Sequence, residues 1–368
     1  MKKPLLYNPA FIVLPYFLLM SIGALEVWSS SYYFAYRFHH NPNFFFFWQL
    51  KYVVVSLVVA VFFSFLNYRF LDKLTVLLVV FSLFLLVLLH FKGVNIRGAT
   101  RWLNIAGHRF EPSFVAEFSL LVYMAHFISK RINRGEELSE SLYPFALVVG
   151  IFFVLIVTEP DVGSAVLVAL VFMGVIYVYG FRFKSIILLG LPIAVIVALI
   201  IYSHPEKLQR IINFFITKKV NYQIHQALVA LGSGGVFGQG VAKGVYKTIF
   251  VPDSYNDFIL AGIGEDFGFV GVAFVLLLLL SIIWFGFEVS KRCRDLFGSV
   301  LALGITLFIS IEALMNIFSV LHLIPPKGIT LPFVSYGGTS LIVHGAYVGI
   351  LLSIYSRCGG GKKGKLSV

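Results

Sequence analysis

The dominant pattern along the chain is a series of long apolar runs separated by short charged breaks. Reading between charges gives Pro4–Leu25, Tyr52–Tyr68, Leu74–Phe91, Ser141–Thr158, Val162–Phe181, Ser185–Pro205 and Phe267–Phe287. Three further runs contain an acidic or broken position. Pro112–Ser129 holds Glu117, Leu296–Ser319 holds Glu312, and the last run lies within Gly328–Ser356, interrupted by Pro332 and Gly337-Gly338. A helix needs roughly 20 mostly apolar residues to cross the hydrocarbon core. The pattern therefore predicts an all-α fold, a polytopic integral membrane bundle of about ten transmembrane helices. Lys92–Glu111 and residues 206–266 are left over as the two long loops. The second of these, between the seventh and eighth helices, carries apolar stretches and is expected to be partly helical and ordered.

Composition sharpens this. Hydrophobic residues make up 59% of the 368 and charged residues only 12%, where a soluble domain has about 25% charged. The mean hydropathy is +0.91. Disordered, collagen-like and disulfide-scaffold chains are excluded, and a soluble enzyme is strongly disfavoured. We expect one membrane domain over residues 1–368, with an external loop at 206–266 and a flexible basic tail at 357–368. The first run is long for a signal peptide, and Glu26 follows it without a small-residue cleavage pattern, so it reads as a retained helix.

Charge sets the expected orientation. Lys2, Lys3, Arg69, Lys73, Lys130, Arg131, Arg134, Arg182, Lys184, Lys291, Arg292, Arg294, Arg357, Lys362, Lys363 and Lys365 all fall on the side of the termini, in short loops or tails. The positive-inside rule places that side in the cytoplasm and both long loops outside. The net charge of +12 is then either headgroup contact or a surface for an anionic substrate. No basic patch sits on a soluble domain, so no nucleic acid is expected. Cys293 and Cys358 fall on the cytoplasmic side and are expected to be free thiols, with no Cys/His cluster for a metal.

Polar residues at membrane depth are costly and usually face an interior. Glu117 and Glu312 lie inside spans. Glu159 and Asp161 bracket Pro160, and Asp253, Asp257, Glu265 and Asp266 gather at the mouth of the eighth span. On the same external face lie Arg97, Arg101, Arg109, Arg210, Lys218, Lys219, Lys243, Lys247 and Lys327. Such a mixed mouth suits a charged, lipid-linked substrate; interhelical ion pairing would use the same residues. The segment Gly232-Ser233-Gly234-Gly235-Val236-Phe237-Gly238-Gln239-Gly240 matches neither a Walker loop nor a dinucleotide fingerprint. Its glycines allow positive φ and close backbone approach. Lys243 and Lys247 stand at i and i+4, so on a helix they would share a face and either clasp a pyrophosphate or reach for headgroups. Pro325, Pro326 and Pro332 stiffen a loop that enters the bundle through Gly337-Gly338, and broken backbone is tolerated there only against protein or a wet cavity.

These residues also carry a family resemblance. Pro326-Lys327-Gly328-Ile329-Thr330-Leu331-Pro332-Phe333-Val334-Ser335-Tyr336-Gly337-Gly338-Thr339-Ser340 resembles the signature of the SEDS proteins (shape, elongation, division and sporulation). Tyr222-Gln223-Ile224-His225-Gln226-Ala227-Leu228 with the glycine segment, Asp257-Phe258-Ile259 with Gly264-Glu265-Asp266-Phe267-Gly268-Phe269-Val270-Gly271, Glu159-Pro160-Asp161-Val162-Gly163-Ser164-Ala165 and Gly98-Ala99-Thr100-Arg101-Trp102-Leu103 resemble its other motifs, in family order. The resemblance implies a multi-pass protein of the bacterial inner membrane that polymerises lipid II into glycan strands. It implies a class B penicillin-binding protein as partner, beside other divisome or elongasome membrane proteins. Lys327-Gly328-Ile329-Thr330-Leu331-Pro332 looks more like the FtsW (division) form than the RodA (elongation) form. A lipid II flippase and a scaffold without chemistry are the competing readings.

By position, Asp257 matches the carboxylate the family uses for polymerisation, as general base toward the attacking sugar hydroxyl. Arg101, Arg210, Gln226, Lys243, Lys247, Lys327, Ser335 and Tyr336 are the implied substrate contacts, and Asp161, Glu265, Asp266 and Glu117 the implied supporting groups. Basic residues, or a divalent cation such as Mg or Mn, would stabilise the departing pyrophosphate. The chain departs from the family where QPSExAK is usual: Phe114 takes the glutamate position and Glu117 the lysine position, and Tyr246 replaces a frequent glutamine.

Overall fold

The computed structural model describes residues 7–96, 99–105, 107–136, 142–159, 162–180, 183–203, 205–217, 222–251, 254–325 and 327–360. Its helices are α1 (Ala10–His39), α2 (Phe44–Phe65), α3 (Arg69–Lys92), α4 (Pro112–Asn133), α5 (Leu142–Thr158), α6 (Val162–Val178), α7 (Phe183–Ser203), α8 (Pro205–Ile212), α9 (Tyr222–Ser233), α10 (Ile259–Arg292), α11 (Leu296–Val320) and α12 (Gly338–Tyr355). Each expected span overlaps a helix. Among the described residues, seven helices are long and apolar enough to cross a membrane: α1–α4 and α10–α12. Helices α5 and α6 have 17 residues each and α7 has 21, with shorter apolar stretches among the described residues, so the seven are a count of the described residues alone. The external loop is partly helical, as expected, through α8 and α9.

Helix α1 runs well past Glu26, where the apolar run was expected to end. Glu26 is fully buried, so its charge is an inward group rather than a boundary. The segment after α3 also differs from a plain loop. It forms a three-stranded antiparallel sheet, β1 (Val94–Ile96), β2 (Ala99–Ile105) and β3 (His108–Phe110), in that order. Leu103 pairs with Phe110 and Asn104 with Arg109, and Gly107 turns the β2–β3 hairpin at φ 82°. The Glu111 amide donates to Thr339 Oγ1 (3.1 Å), which sets the sheet beside the start of α12.

Helices α4, α11 and α12 are mostly buried, whereas α2, α3 and α10 turn most of their surface outward. Phe47, Phe62, Phe65, Phe81, Phe84 and Phe269 are among the exposed aromatic side chains. In an integral membrane protein these face lipid. Between helices the association relies on close packing and polar contacts rather than on water expulsion. The α2–α12 pair shows it. Gly345 and Gly349 stand four apart on α12, and a Cβ on either would lie 2.5 or 2.4 Å from the carbonyl oxygens of Ser56 or Ala60 on α2. Ser56 Oγ also donates to the Leu341 carbonyl, and Ser353 Oγ to that of Leu66 (2.6 Å).

At the end of the bundle opposite the long loops, α10 and α12 finish side by side. There Cys293 and Cys358 form a disulfide, so they are not the free thiols the sequence suggests. The physical reason is helix length: α10 ends at Arg292 and α12 runs into a π-helical turn at Ser356–Gly360, bringing the two side chains together.

Candidate active site

The loop-rich end is built in two layers. The lower one fastens the loop after α9 to α1 and α10. Helix α10 breaks at Gly268, whose φ of 67° belongs to the left-handed region that glycine tolerates. A Cβ there would lie 2.4 Å from the Gly238 amide nitrogen. The break frees main-chain groups, and the loop takes them up. The Gln239 and Gly240 amides donate to the Glu265 and Asp266 carbonyls (2.9 and 3.0 Å), and the Phe269 and Val270 amides donate to Gly235 and Val236 (2.9 and 3.1 Å).

Side chains complete the clamp. Both Glu265 carboxylate oxygens accept main-chain amides, from Tyr246 (3.0 Å) and Lys247 (2.9 Å), and so cap the π-helical turn Tyr246–Phe250. The Lys247 side chain is fully buried. Its ammonium pairs with Asp266, with Glu26 Oε1 at 3.1 Å, and with Ser29 Oγ at 2.7 Å. Ser29 Oγ in turn donates to Asp266 Oδ2 (2.6 Å) and accepts the Ala242 amide (2.8 Å). Lys247 is thus held inside the protein. It does not share an open face with Lys243, which is exposed. Lys243 lies in the turn that follows Ala242 (φ 60°), whereas Lys247 belongs to the π-helical turn Tyr246–Phe250, so no single helix carries both.

The upper layer holds Asp257, which is half-buried on the loop before α10. Gly328 of the proline-rich loop abuts it, since a Cβ at Gly328 would lie 2.8 Å from Asp257 Oδ2. The two loops are stitched together. Ser335 Oγ donates to the Asn256 carbonyl (2.7 Å) and accepts the Leu331 amide (2.8 Å), and the Tyr336 amide donates to Tyr255 (3.0 Å). Asn316 of α11 donates through one NH2 group to two carbonyls, Asp257 (3.0 Å) and Ile329 (2.7 Å). Phe333 sits at φ 67°, a conformation costing a non-glycine residue about 1–3 kcal/mol. Its buried ring is held edge-on by Tyr16 (5.5 Å) and His344 (5.2 Å).

An aromatic group gathers around Tyr255, two residues before Asp257. Tyr255 and Tyr336 meet at 5.7 Å, with Phe45 against both (4.9 and 5.5 Å) and Tyr52 beside Tyr336 (6.3 Å). Burial, then the neighbouring tyrosines, push the Tyr336 phenol above its usual range, against a smaller opposing pull from Arg109. Tyr336 therefore stays protonated and can donate.

Of the other sequence candidates, Arg101 lies half-buried on β2, Lys327 is half-buried next to Gly328, and Gln226 is half-buried on α9. Arg210 is exposed on α8, and Phe214 just beyond it packs against His322 (4.9 Å). Glu117 is buried in α4, within electrostatic reach of the Tyr347 phenol together with Glu312. Asp161 lies outside the described residues. Sequence reasoning did not single out Glu26, Ser29, Asn316 or His344 as parts of the site. An isolated acid in an apolar run, as at Glu26, is the signal that a buried counter-charge exists. Among the described residues no three His, Cys, Asp or Glu side chains converge to hold a metal ion.

Fold and composition define a multi-pass integral membrane protein with a carboxylate site at its loop-rich end. Residues 9–358 match the Cell cycle protein family of FtsW, RodA and SpoVE, and the chain belongs to that family. It is 34% identical to a probable peptidoglycan glycosyltransferase FtsW of Trichlorobacter lovleyi, over 91% of this chain and 90% of that one. It is 31% identical to the Haemophilus influenzae protein of the same name, over 95% and 90%. Its fold is shared by a protein from a peptidoglycan synthase complex described as coordinating polymerization and crosslinking (TM-score 0.76, 22% identity, 95% and 98% covered). It is also shared by the rod shape determining protein RodA of Thermus thermophilus (TM-score 0.71, 23% identity, 96% and 98% covered).

Proposed function

We propose that this protein is a peptidoglycan glycosyltransferase of the FtsW type. It polymerises lipid II into glycan strands on the external face of the bacterial inner membrane, for the septal wall. The observation that carries the reading is the placement of Asp257: a half-buried carboxylate, packed under Gly328, at the end of the bundle where the loops gather. Cytoplasmic termini, from the distribution of Lys and Arg, put that end outside.

The chemistry follows from the site. The attacking sugar hydroxyl gives its proton to Asp257 as its oxygen bonds to the anomeric carbon of the other sugar. The anomeric C–O bond breaks, and the electron pair leaves with the pyrophosphate. A carboxylate is a competent base if it lies within hydrogen-bond reach of that hydroxyl. The protonated Tyr336 and the nearby amides can donate to sugar oxygens. We assign Lys327, Arg109 and Arg101 to meeting the pyrophosphate, with Lys243 and Arg210 on the long loop. Lys247 and Glu265 are assigned to holding that loop instead. The proposed partner is a class B penicillin-binding protein that crosslinks the strands.

The test is purified protein with its cognate transpeptidase and labelled lipid II, scored by glycan length. Wild type makes long strands, and Asp257→Asn, equally folded and partner-bound, loses roughly 100-fold or more. If neither makes glycan while lipid II crosses liposome bilayers in the presence of wild type, the protein is a flippase and this reading is lost.

A further inference from the structure

Below the Asp257 site, three elements of the bundle meet at one buried polar cluster. Glu312 on α11 and His344 on α12 are both buried. Glu312 Oε1 accepts from Thr330 Oγ1 of the proline-rich loop (2.9 Å), and Glu312 Oε2 lies 2.7 Å from His344 Nε2. The other ring nitrogen, Nδ1, lies 2.8 Å from the Ser340 carbonyl oxygen. A carbonyl only accepts, so Nδ1 carries a proton. Nε2 then faces a carboxylate oxygen, and a second proton must sit between them. The cluster is closed and net neutral, whichever partner holds that proton.

Its position gives it a use. Glu312 and Asn316 stand at i and i+4 on α11 and present one face to the loop. Asn316 takes the Ile329 carbonyl and Glu312 takes the Thr330 hydroxyl, so two successive loop residues are pinned to one rigid helix. The residue just before them is Gly328, which lies against the Asp257 carboxylate. We infer that the Glu312–His344 pair is a positioning device for the reaction: through Thr330 it fixes how closely the loop is seated on Asp257, without touching substrate. This rests on the polymerase reading above.

The geometry also says which chemistry position 312 needs. A glutamine there accepts from Thr330 through Oε1 and donates through Nε2 to His344 Nε2, while His344 Nδ1 still donates to Ser340. Every contact survives without a charge. An alanine breaks both. A valine at position 330 keeps the shape and removes only the loop's own donor.

The test compares wild type, Glu312→Gln, Glu312→Ala and Thr330→Val as full-length protein in complex with the transpeptidase. Glycan turnover is read as kcat and KM, and hydrogen exchange is read across residues 331–336, whose Val334 and Ser335 amides bond to Leu331. Glu312→Gln keeps kcat within about threefold. Thr330→Val lowers kcat roughly tenfold, as loss of one buried hydrogen bond would. Glu312→Ala lowers it roughly 30- to 100-fold, the scale of an ångström's misplacement. In both impaired variants KM changes little and residues 331–336 exchange faster. Wild-type kcat in Thr330→Val overturns the inference, as does Glu312→Gln as inactive as Glu312→Ala, or a loss confined to KM. If wild type makes no glycan, the polymerase reading fails, and exchange unchanged by Thr330→Val would separately remove the pinning.

Discussion

Replacing Lys247 by methionine separates the two roles this lysine could have. Methionine fills nearly the same volume, so the cavity contribution is small, and what changes is the charge. Two buried carboxylates, Glu26 and Asp266, then lose their cation, and Ser29 loses a donor. Removing one partner of a buried ion pair costs about 3–5 kcal/mol, because the remaining charge has no water to return to. A residue at an exposed surface costs within about 0.5 kcal/mol, and Lys243→Met is the internal control. We expect Lys247→Met to lower the unfolding free energy of the detergent-solubilised protein by about 3–5 kcal/mol. Trp28, two residues from Glu26 on α1 and bonded through its indole to Asn43, is a suitable fluorescence reporter. Adding Glu26→Gln should restore part of the loss, with a coupling of about 1–3 kcal/mol. A Lys247→Met protein with wild-type stability and weakened lipid II binding would refute the argument and return the lysine to the substrate.

Three further outcomes follow from the geometry. Gly268→Ala places a Cβ 2.4 Å from the Gly238 nitrogen at positive φ, and should destabilise by more than about 1 kcal/mol, read by thermal unfolding, with faster proteolysis of residues 234–250. Asn316→Asp turns a double donor into an acceptor facing two carbonyls, and should lower glycan synthesis roughly 100-fold while lipid II binding, measured separately, holds within a few-fold. Gly349→Leu forces α12 off the Ala60 carbonyl of α2, and should lower the melting temperature by several degrees, roughly the effect of 1–3 kcal/mol of overpacking.

Apolar runs located the helices because lipid leaves the backbone no alternative to internal hydrogen bonding. They failed where polar groups answer one another inside the protein. Glu26 ended the first expected span because the sequence does not display that Lys247, more than 200 residues later, neutralises it. The i, i+4 spacing of Lys243 and Lys247 assumed a helix, but Lys243 lies in a turn and only from Tyr246 does the chain enter the π-helical turn that carries Lys247. The short sheet after α3 was invisible for a different reason: strands of three and seven residues give too little alternation to register beside 20-residue runs. Asp257, Ser335 and Tyr336 were legible as motif residues. Asn316 and His344 were not, because each works through a backbone or a partner brought near only by folding.

The segment from Gly240 to Lys247 is fastened at both ends to neighbouring residues of α10. Gly240 is tied to the Asp266 carbonyl, and Lys247 to the Glu265 carboxylate. It is therefore a closed ring of fixed minimum circumference. Lengthening such a ring is cheap, since even doubling a flexible loop costs only about 0.6 kcal/mol. Shortening it has no such tolerance, because losing a residue draws the lysine out of its nest or tears the anchor at Gly240. Length drift in this loop should accordingly be one-sided, with insertions accepted at the exposed Lys243 and deletions rejected.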